Sequence, residues 1–237
     1  MITTLMMTIM LTNPTPSSVI PQPRDGWHAD RHMQINAKVA ATKDDVDVVF
    51  IGDSITQSWE DVGRDVWQAH FADLTAINLG ISGDRTEHVL WRLDHGNLDG
   101  IKPKIAVVMI GTNNIGHGTH TTSEVLAGVQ RVVARIREIS PSTEVLLLDI
   151  FPRGFEFNQS RGRILQINQA LSRLNVEEGI RYMPIGHVFL EDDGSICPDI
   201  MPDGLHLSPA GYRRWAEAIS PTIDAMLSTD QMGEEHS

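Results

Sequence analysis

The chain reads as an α/β domain built around a parallel sheet, and two observations predict it. Apolar, β-branched runs recur along the sequence with no polar alternation, as strands buried on both faces require. Between them lie stripes of apolar residues at helical spacing. Strand and helix alternating in this way define a parallel sheet with helical crossovers. The 237 residues suit one domain of this kind, and no internal repeat or linker divides them.

The elements follow in chain order. Residues 1–12 are apolar and rich in Met and Thr. They lack the basic start and cleavage site of a signal peptide and are too short to span a bilayer. They are read as a disordered tail or as vector-derived sequence outside the fold. Residues 13–23, rich in Pro and Ser, read as an irregular lead-in, so the domain is expected to run from 24 to 228. Residues 27–42 have helical character. Strands are expected at 46–51, 75–79, 105–110 and 144–148, with a weaker one at 181–185. Val125, Val129, Val132, Val133, Ile136 and Ile139 mark one helix, opened by a capping box from Thr121 to Glu124. Ile164, Ile167, Leu171 and Leu174 mark another. The final helix has Ser208 as N-cap, Pro209 in its first position and Tyr212, Trp215, Ile219, Ile223 and Met226 on one face. Residues 229–237 read as a polar, frayed tail.

Composition excludes several functions. A net charge of −12 disfavours nucleic acid as a partner, because phosphate binding needs a basic face. The single cysteine, Cys197, permits neither an internal disulfide nor a thiolate metal cluster. There is no His-Glu-x-x-His motif and no tight His/Asp cluster at ligand spacing, and neither a metal nor an organic cofactor is expected. Without a convincing signal peptide or spanning segment, the expected location is cytoplasmic and no membrane insertion is expected. An exported protein with a miscalled start would look the same.

Parallel sheets place their ligands at the carboxyl ends of the strands. Ser54 follows the first strand, Gly83 the second and Asn113 the third, so all three reach one edge. A serine needs a base to become a nucleophile, and His206 supplies one. Asp203 lies one turn before His206, within reach of its Nδ1. Gly83 exposes its N–H, and Asn113 carries a side-chain amide; with the Ser54 N–H these make three candidate donors to an oxyanion. Each residue also has a plainer reading, as a cap, turn or surface loop. Their order and their placement after successive strands favour acyl transfer.

The same blocks carry a resemblance. Val49-Phe50-Ile51-Gly52-Asp53-Ser54, the run 78–93 ending His88-Val89-Leu90-Trp91-Arg92-Leu93, and Ile101-Lys102-Pro103-Lys104 resemble the SGNH (GDSL-type) hydrolases. So do Ile110-Gly111-Thr112-Asn113-Asn114, Pro152-Arg153-Gly154 and the segment 194–212. Residues 46–226 are covered, and the likeness is nearest to the platelet-activating-factor acetylhydrolase branch. It implies a flavodoxin-like three-layer sandwich with strand order 2-1-3-4-5. It also implies Ser54 as nucleophile, His206 as base, Asp203 as third member, and Gly83 and Asn113 in the oxyanion hole. Ile55, Thr112 and Leu205 carry over as the lining of a small acyl pocket. Asn114 stands where many members have Asp, a change this branch tolerates. The expected substrate is a short, acetyl-type ester, with acetylated carbohydrate first and a phospholipid, lysophospholipid or thioester as the alternative. A homodimer is implied by the branch. Two readings lie outside this class: a loop at 54–58 cradling the phosphate of FMN, and a non-catalytic binding module on the same fold.

Overall fold

A computed structural model describes residues 14–42 and 46–234, the last six by backbone alone. Residues 1–12, expected to lie outside the fold, fall outside the described residues. The chain begins with a short 3-10 turn, Ser17–Val19, and helix α1, Trp27–Thr42. Then come β1 (Val48–Gly52), α2 (Ser54–Gln57), α3 (Arg64–Phe71), β2 (Ala76–Asn78) and α4 (Thr86–Leu93). Next are β3 (Ile105–Met109), α5 (Thr112–Gly116), α6 (Thr122–Ile139) and β4 (Glu144–Leu148). The chain closes with α7 (Gln159–Leu171), β5 (Ile180–Met183) and α8 (Pro209–Glu234).

The five strands form one sheet in the order β2-β1-β3-β4-β5, every pair parallel. This is the order the resemblance implies. Alternate side chains of each strand face opposite sides. Val49 and Ile51 of β1, Ala106 and Val108 of β3, and Val145 and Leu147 of β4 join one core with α1, α4, α6 and α7. Val48, Phe50, Val107, Met109, Leu146 and Leu148 join the other, with α3 and α8. The result is three layers, and each strand buried on both faces shows why its sequence lacks alternation. The second core is aromatic: Trp59 packs on Tyr212 and Trp215 with ring centroids 4.5 and 4.9 Å apart.

Local signals act where expected. Thr121 and Glu124 form a reciprocal capping box on α6. Ser208 Oγ accepts the Gly211 N–H at the start of α8. Tyr212, Trp215, Ile219, Ile223 and Met226 are all buried. β5 is an edge strand whose residues are only partly covered, which explains its weak pattern.

Two boundaries need correction. Residues 14–23 were expected outside the domain, but they pack on it. Ser18 is fully buried, its Oγ donates to Glu124 O at 2.7 Å, and Thr86 Oγ1 donates to Ser18 O at 2.8 Å. Pro and Ser composition does not reveal such docking, because the bonds run through backbone carbonyls. At the other end, α8 continues to Glu234, beyond the expected start of a polar tail at 229. A helix already nucleated by a buried face propagates cheaply through polar residues.

Stability should follow this layering. Ile136, fully buried on α6, should cost about 2–5 kcal/mol when changed to Ala. The exposed Glu138, paired with Arg131 and Arg135, should cost under about 1 kcal/mol when changed to Gln. Urea denaturation of both variants checks the ranking, and equal losses would contradict it.

Candidate active site

The site is assembled from strand ends. At the end of β1, Gly52 admits the chain between neighbours that would reject a side chain: a Cβ there would lie 2.5 Å from Met109 O. Asp53 then caps α2, its Oδ1 accepting the Ile55 N–H at 3.1 Å. Ser54 opens that helix, nearly buried at 9 % exposure. Among the described residues its N–H has no hydrogen-bond partner.

The loop after β2 is fastened to α2. Asn78 donates to Thr56 O and Gln57 O and accepts the Gly80 N–H. Gln57 Oε1 accepts the Ser82 N–H at 2.7 Å. Gly80 lies so close that a Cβ would fall 2.3 Å from Gln57 N. Gly83 follows with a φ of +74°, half-exposed, its N–H unpartnered among the described residues. After β3, Gly111 turns at a φ of +124° into α5. Asn113 on α5 spends one N–H on Asp84 O, at 2.9 Å, which sets it beside Gly83 and leaves its second N–H.

His206 arrives from the far end of the sequence. Its Nε2 lies 3.0 Å from Ser54 Oγ, and its Nδ1 lies 2.7 Å from Asp203 Oδ2. Asp203 also accepts the backbone N–H groups of Leu205 and His206 on Oδ1. Burial opposes the Asp203 charge, but the hydrogen bonds from the His206 ring and from the two backbone amides hold its carboxyl below the ordinary range. The loop is pinned by Gly154 N–H on Gly204 O, at 2.6 Å. Tyr212 OH on Ile55 O, also 2.6 Å, joins α8 to α2 and so ties the two halves.

The sequence-predicted residues therefore meet: Ser54, His206 and Asp203 form one hydrogen-bonded chain, with Gly83 and Asn113 gathered at Asp84. The three pocket candidates flank them in sequence. Ile55 and Thr112 are buried and Leu205 half-buried. The 54–58 segment offers little to a phosphate, since Ser54 Oγ is engaged by His206 and Thr56 is buried. Among the described residues, no three His, Cys, Asp or Glu side chains are grouped to hold a metal ion. No helix among them is long and apolar enough to cross a membrane.

Sequence reasoning missed the bracing. Arg92 is buried, and its Nε donates to Asp84 Oδ2, its Nη1 to Leu79 O and Asn97 Oδ1, and its Nη2 to Gly52 O. An arginine inside an otherwise apolar stripe, eight residues after an aspartate, was the available signal. Asp53 was also missed. Its carboxyl is completely buried and its Oδ2 has no partner. Burial above all pushes it up to about 7, against the pull of the Ile55 N–H, with the Asp84 charge adding to the rise.

A strand-end serine bound to an imidazole that is bound to a carboxylate, on an open parallel sheet, describes a hydrolase. The comparisons agree and define it as a carboxylic ester hydrolase. The model of the GDSL-like lipase/acylhydrolase family matches residues 50–214. The chain belongs to that family. The human platelet-activating factor acetylhydrolase IB subunit alpha1 is 38% identical over 195 residues, covering 81% of this chain and 82% of that protein. The rat alpha2 subunit is 37% identical over 201 residues, covering 84% and 86%. In fold, the chain is similar to a GDSL-like lipase from Bacteroides thetaiotaomicron, with a TM-score of 0.66, 21% identity and coverage of 83% and 97%. It is also similar to an acetylxylan esterase from Geobacillus stearothermophilus, with a TM-score of 0.61, 21% identity and coverage of 76% and 95%.

Asp53 yields a pH prediction. Its carboxyl holds a proton up to about 7 when folded but only to about 3.9 in an open chain. Between those values this carboxyl binds more of a proton in the folded protein, so its contribution to stability falls as pH rises from about 4 to about 7. Asp149, raised by burial to about 6, acts in the same direction. Asp53→Asn keeps an acceptor for Ile55 N–H and removes the titration. Relative to the parent's, its melting temperature should increase as pH rises from about 4 to about 7; an unchanged difference would refute the assignment.

Proposed function

We propose that the chain hydrolyses short, acetyl-type carboxylic esters through a Ser54–His206–Asp203 triad and an acyl-enzyme. The reading rests on one contact, the 3.0 Å from Ser54 Oγ to His206 Nε2. In the proposed sequence, Ser54 Oγ attacks the ester carbonyl as His206 Nε2 takes its proton. Asp203 fixes the ring tautomer and stabilises the imidazolium. The tetrahedral oxygen is met by the N–H groups of Ser54, Gly83 and the Asn113 side chain. His206 returns the proton to the departing alcohol. Water then attacks the acyl-Ser54 ester with the same base, releasing the acid and restoring the serine.

Ile55, Thr112 and Leu205 are proposed to bound the acyl group. Their place beside Ser54, Asn113 and His206 in sequence is what supports this lining and a small acid such as acetate. The leaving-group side is open, with the side chains of His206 and Asp203 46% and 56% exposed. An acetyl group borne by a bulky alcohol fits that arrangement, and acetylated carbohydrate is our preferred substrate. A phospholipid or lysophospholipid acylhydrolase or a thioesterase is the second reading. It is favoured by relatives that are platelet-activating factor acetylhydrolase subunits.

Ser54→Ala should lower p-nitrophenyl acetate hydrolysis by at least about 10³-fold with the circular dichroism unchanged. Substantial turnover by the purified variant would exclude Ser54 as nucleophile. Within a p-nitrophenyl series from acetate to dodecanoate, the parent should be fastest on acetate and should release acetate from acetylated xylan or glucose. Rates rising with chain length would favour the lipid reading.

Activity should fall on acidification, because a protonated His206 cannot accept the serine proton. Asp203, held below the ordinary carboxylate range, keeps its charge there and adds no step of its own. A kcat/KM that does not fall on acidification would contradict the assigned base.

A further inference from the structure

A cavity of about 240 Å³ opens between α7 and the segment that follows β5. None of Ser54, His206, Asp203, Gly83 or Asn113 lines it. Its walls are mainly apolar, with Ile150, Pro152, Ile164, Leu165 and Leu190 among them. Most polar groups on the wall are already engaged. Asn168 exchanges two hydrogen bonds with the Ile150 backbone. Asp149 accepts the N–H groups of Ile185 and Gly186. His187 Nδ1 is bonded to Pro184 O.

Arg161 is different. It is only 6% exposed, yet a single nitrogen is served: Nη1 donates to Gly194 O at 2.6 Å. Nε and Nη2 are buried without a partner, and among the described residues no carboxylate forms an ion pair with it. These two nitrogens share one edge of the guanidinium, the fork that meets two coplanar oxygens side by side. Burying such donors unbonded is unfavourable, so the native arrangement favours an acceptor at this edge. The residue also stands in the first turn of the 13-residue α7, whose amino end attracts negative charge. The Phe157 ring covers the guanidinium at 5.5 Å while being 77% exposed itself, so it can swing aside with little lost packing.

We propose that this cavity binds an amphiphilic monocarboxylate, its two oxygens on the Nε–Nη2 edge of Arg161 and its chain against the apolar wall. The planar fork fits a carboxylate. A phosphate would leave oxygens facing apolar walls and the Asp149 carboxyl, which already serves as an acceptor. The volume is below the roughly 300 Å³ of sites for drug-sized ligands, which limits the chain to short or medium length. The proposal does not depend on the ester chemistry assigned to Ser54.

Isothermal titration of the full chain with sodium octanoate tests it, with octanol and inorganic phosphate as comparison ligands. Octanoate should bind at a single site, and octanol and phosphate at least about tenfold more weakly. Arg161→Lys keeps the charge but loses the fork, and should weaken octanoate binding by about tenfold or more. Leu190→Trp fills the cavity without touching Arg161 and should weaken it similarly. Melting curves establish that each variant is folded. Absence of saturable binding up to about 10 mM, or parental affinity in both variants, would overturn the proposal.

Discussion

The buried pairing of Arg92 with Asp84 sets the geometry on which the site depends. Two charges removed from water are tolerable only when nearly every donor and acceptor is occupied. Arg92 meets that condition by reaching Gly52 O at the end of β1, Leu79 O at the end of β2 and the carboxylate of Asp84 in the following loop. One rigid, planar group therefore fixes the spacing of the two strand ends that carry Ser54 and Gly83. Lysine could not do this, since a single ammonium cannot span three acceptors in a plane. Asn78 and Gln57 complete the fastening from the α2 side.

The second half of the site is held by different means. His206 lies on a loop with no strand beneath it, and its partner Asp203 is more than half exposed. Order there comes from the aspartate itself, which takes two backbone N–H groups on one oxygen and the imidazole on the other. The same bonds lower its proton affinity, so the charge that orients the ring is present wherever the ring is neutral. Tyr212 then carries this loop's position to α2 through the buried bond to Ile55 O. An exposed loop is thereby registered against a buried serine to within hydrogen-bond distance.

Much of this was legible in the sequence, because the signals were local. Continuous apolar runs marked β1, β3 and β4, and the stripe from Tyr212 to Met226 marked α8. The loop residues Ser54, Gly83 and Asn113 were found because parallel strands deliver their following loops to one edge, and Asp203 and His206 because an acid one turn from an imidazole can reach it. Their convergence is geometry; their catalytic roles are a proposal. The bracing was harder to read. Asn78 and Gln57 act on backbone carbonyls and amides, which any residue supplies, so no partner identity appears in the sequence; Arg92 does so at Leu79 O and Gly52 O, and only its Asp84 partner left a trace there. The docking of residues 14–23 escaped for the same reason: Ser18 and Gln22 bond to the main chain of α6 and α4. Asp53 escaped because the depth at which a side chain is buried cannot be read from a motif.

The residue that follows that docked segment bears on the chemistry. Arg24, which precedes the region matched by the family model, donates to Asp84 Oδ1 and to Ser82 O, on either side of Gly83. Asp84 is thus shared by two guanidinium groups, one buried and one partly exposed. Gly83 is consequently held from three directions: Arg24 on Ser82 O, Gln57 on Ser82 N–H, and Asn113 on Asp84 O. An amide proposed to meet a developing oxyanion contributes most when it need not reorient as charge appears. The restraints on its two neighbours supply that condition, and one of them comes from residues that precede β1. The support of the site therefore extends beyond the motif-bearing region.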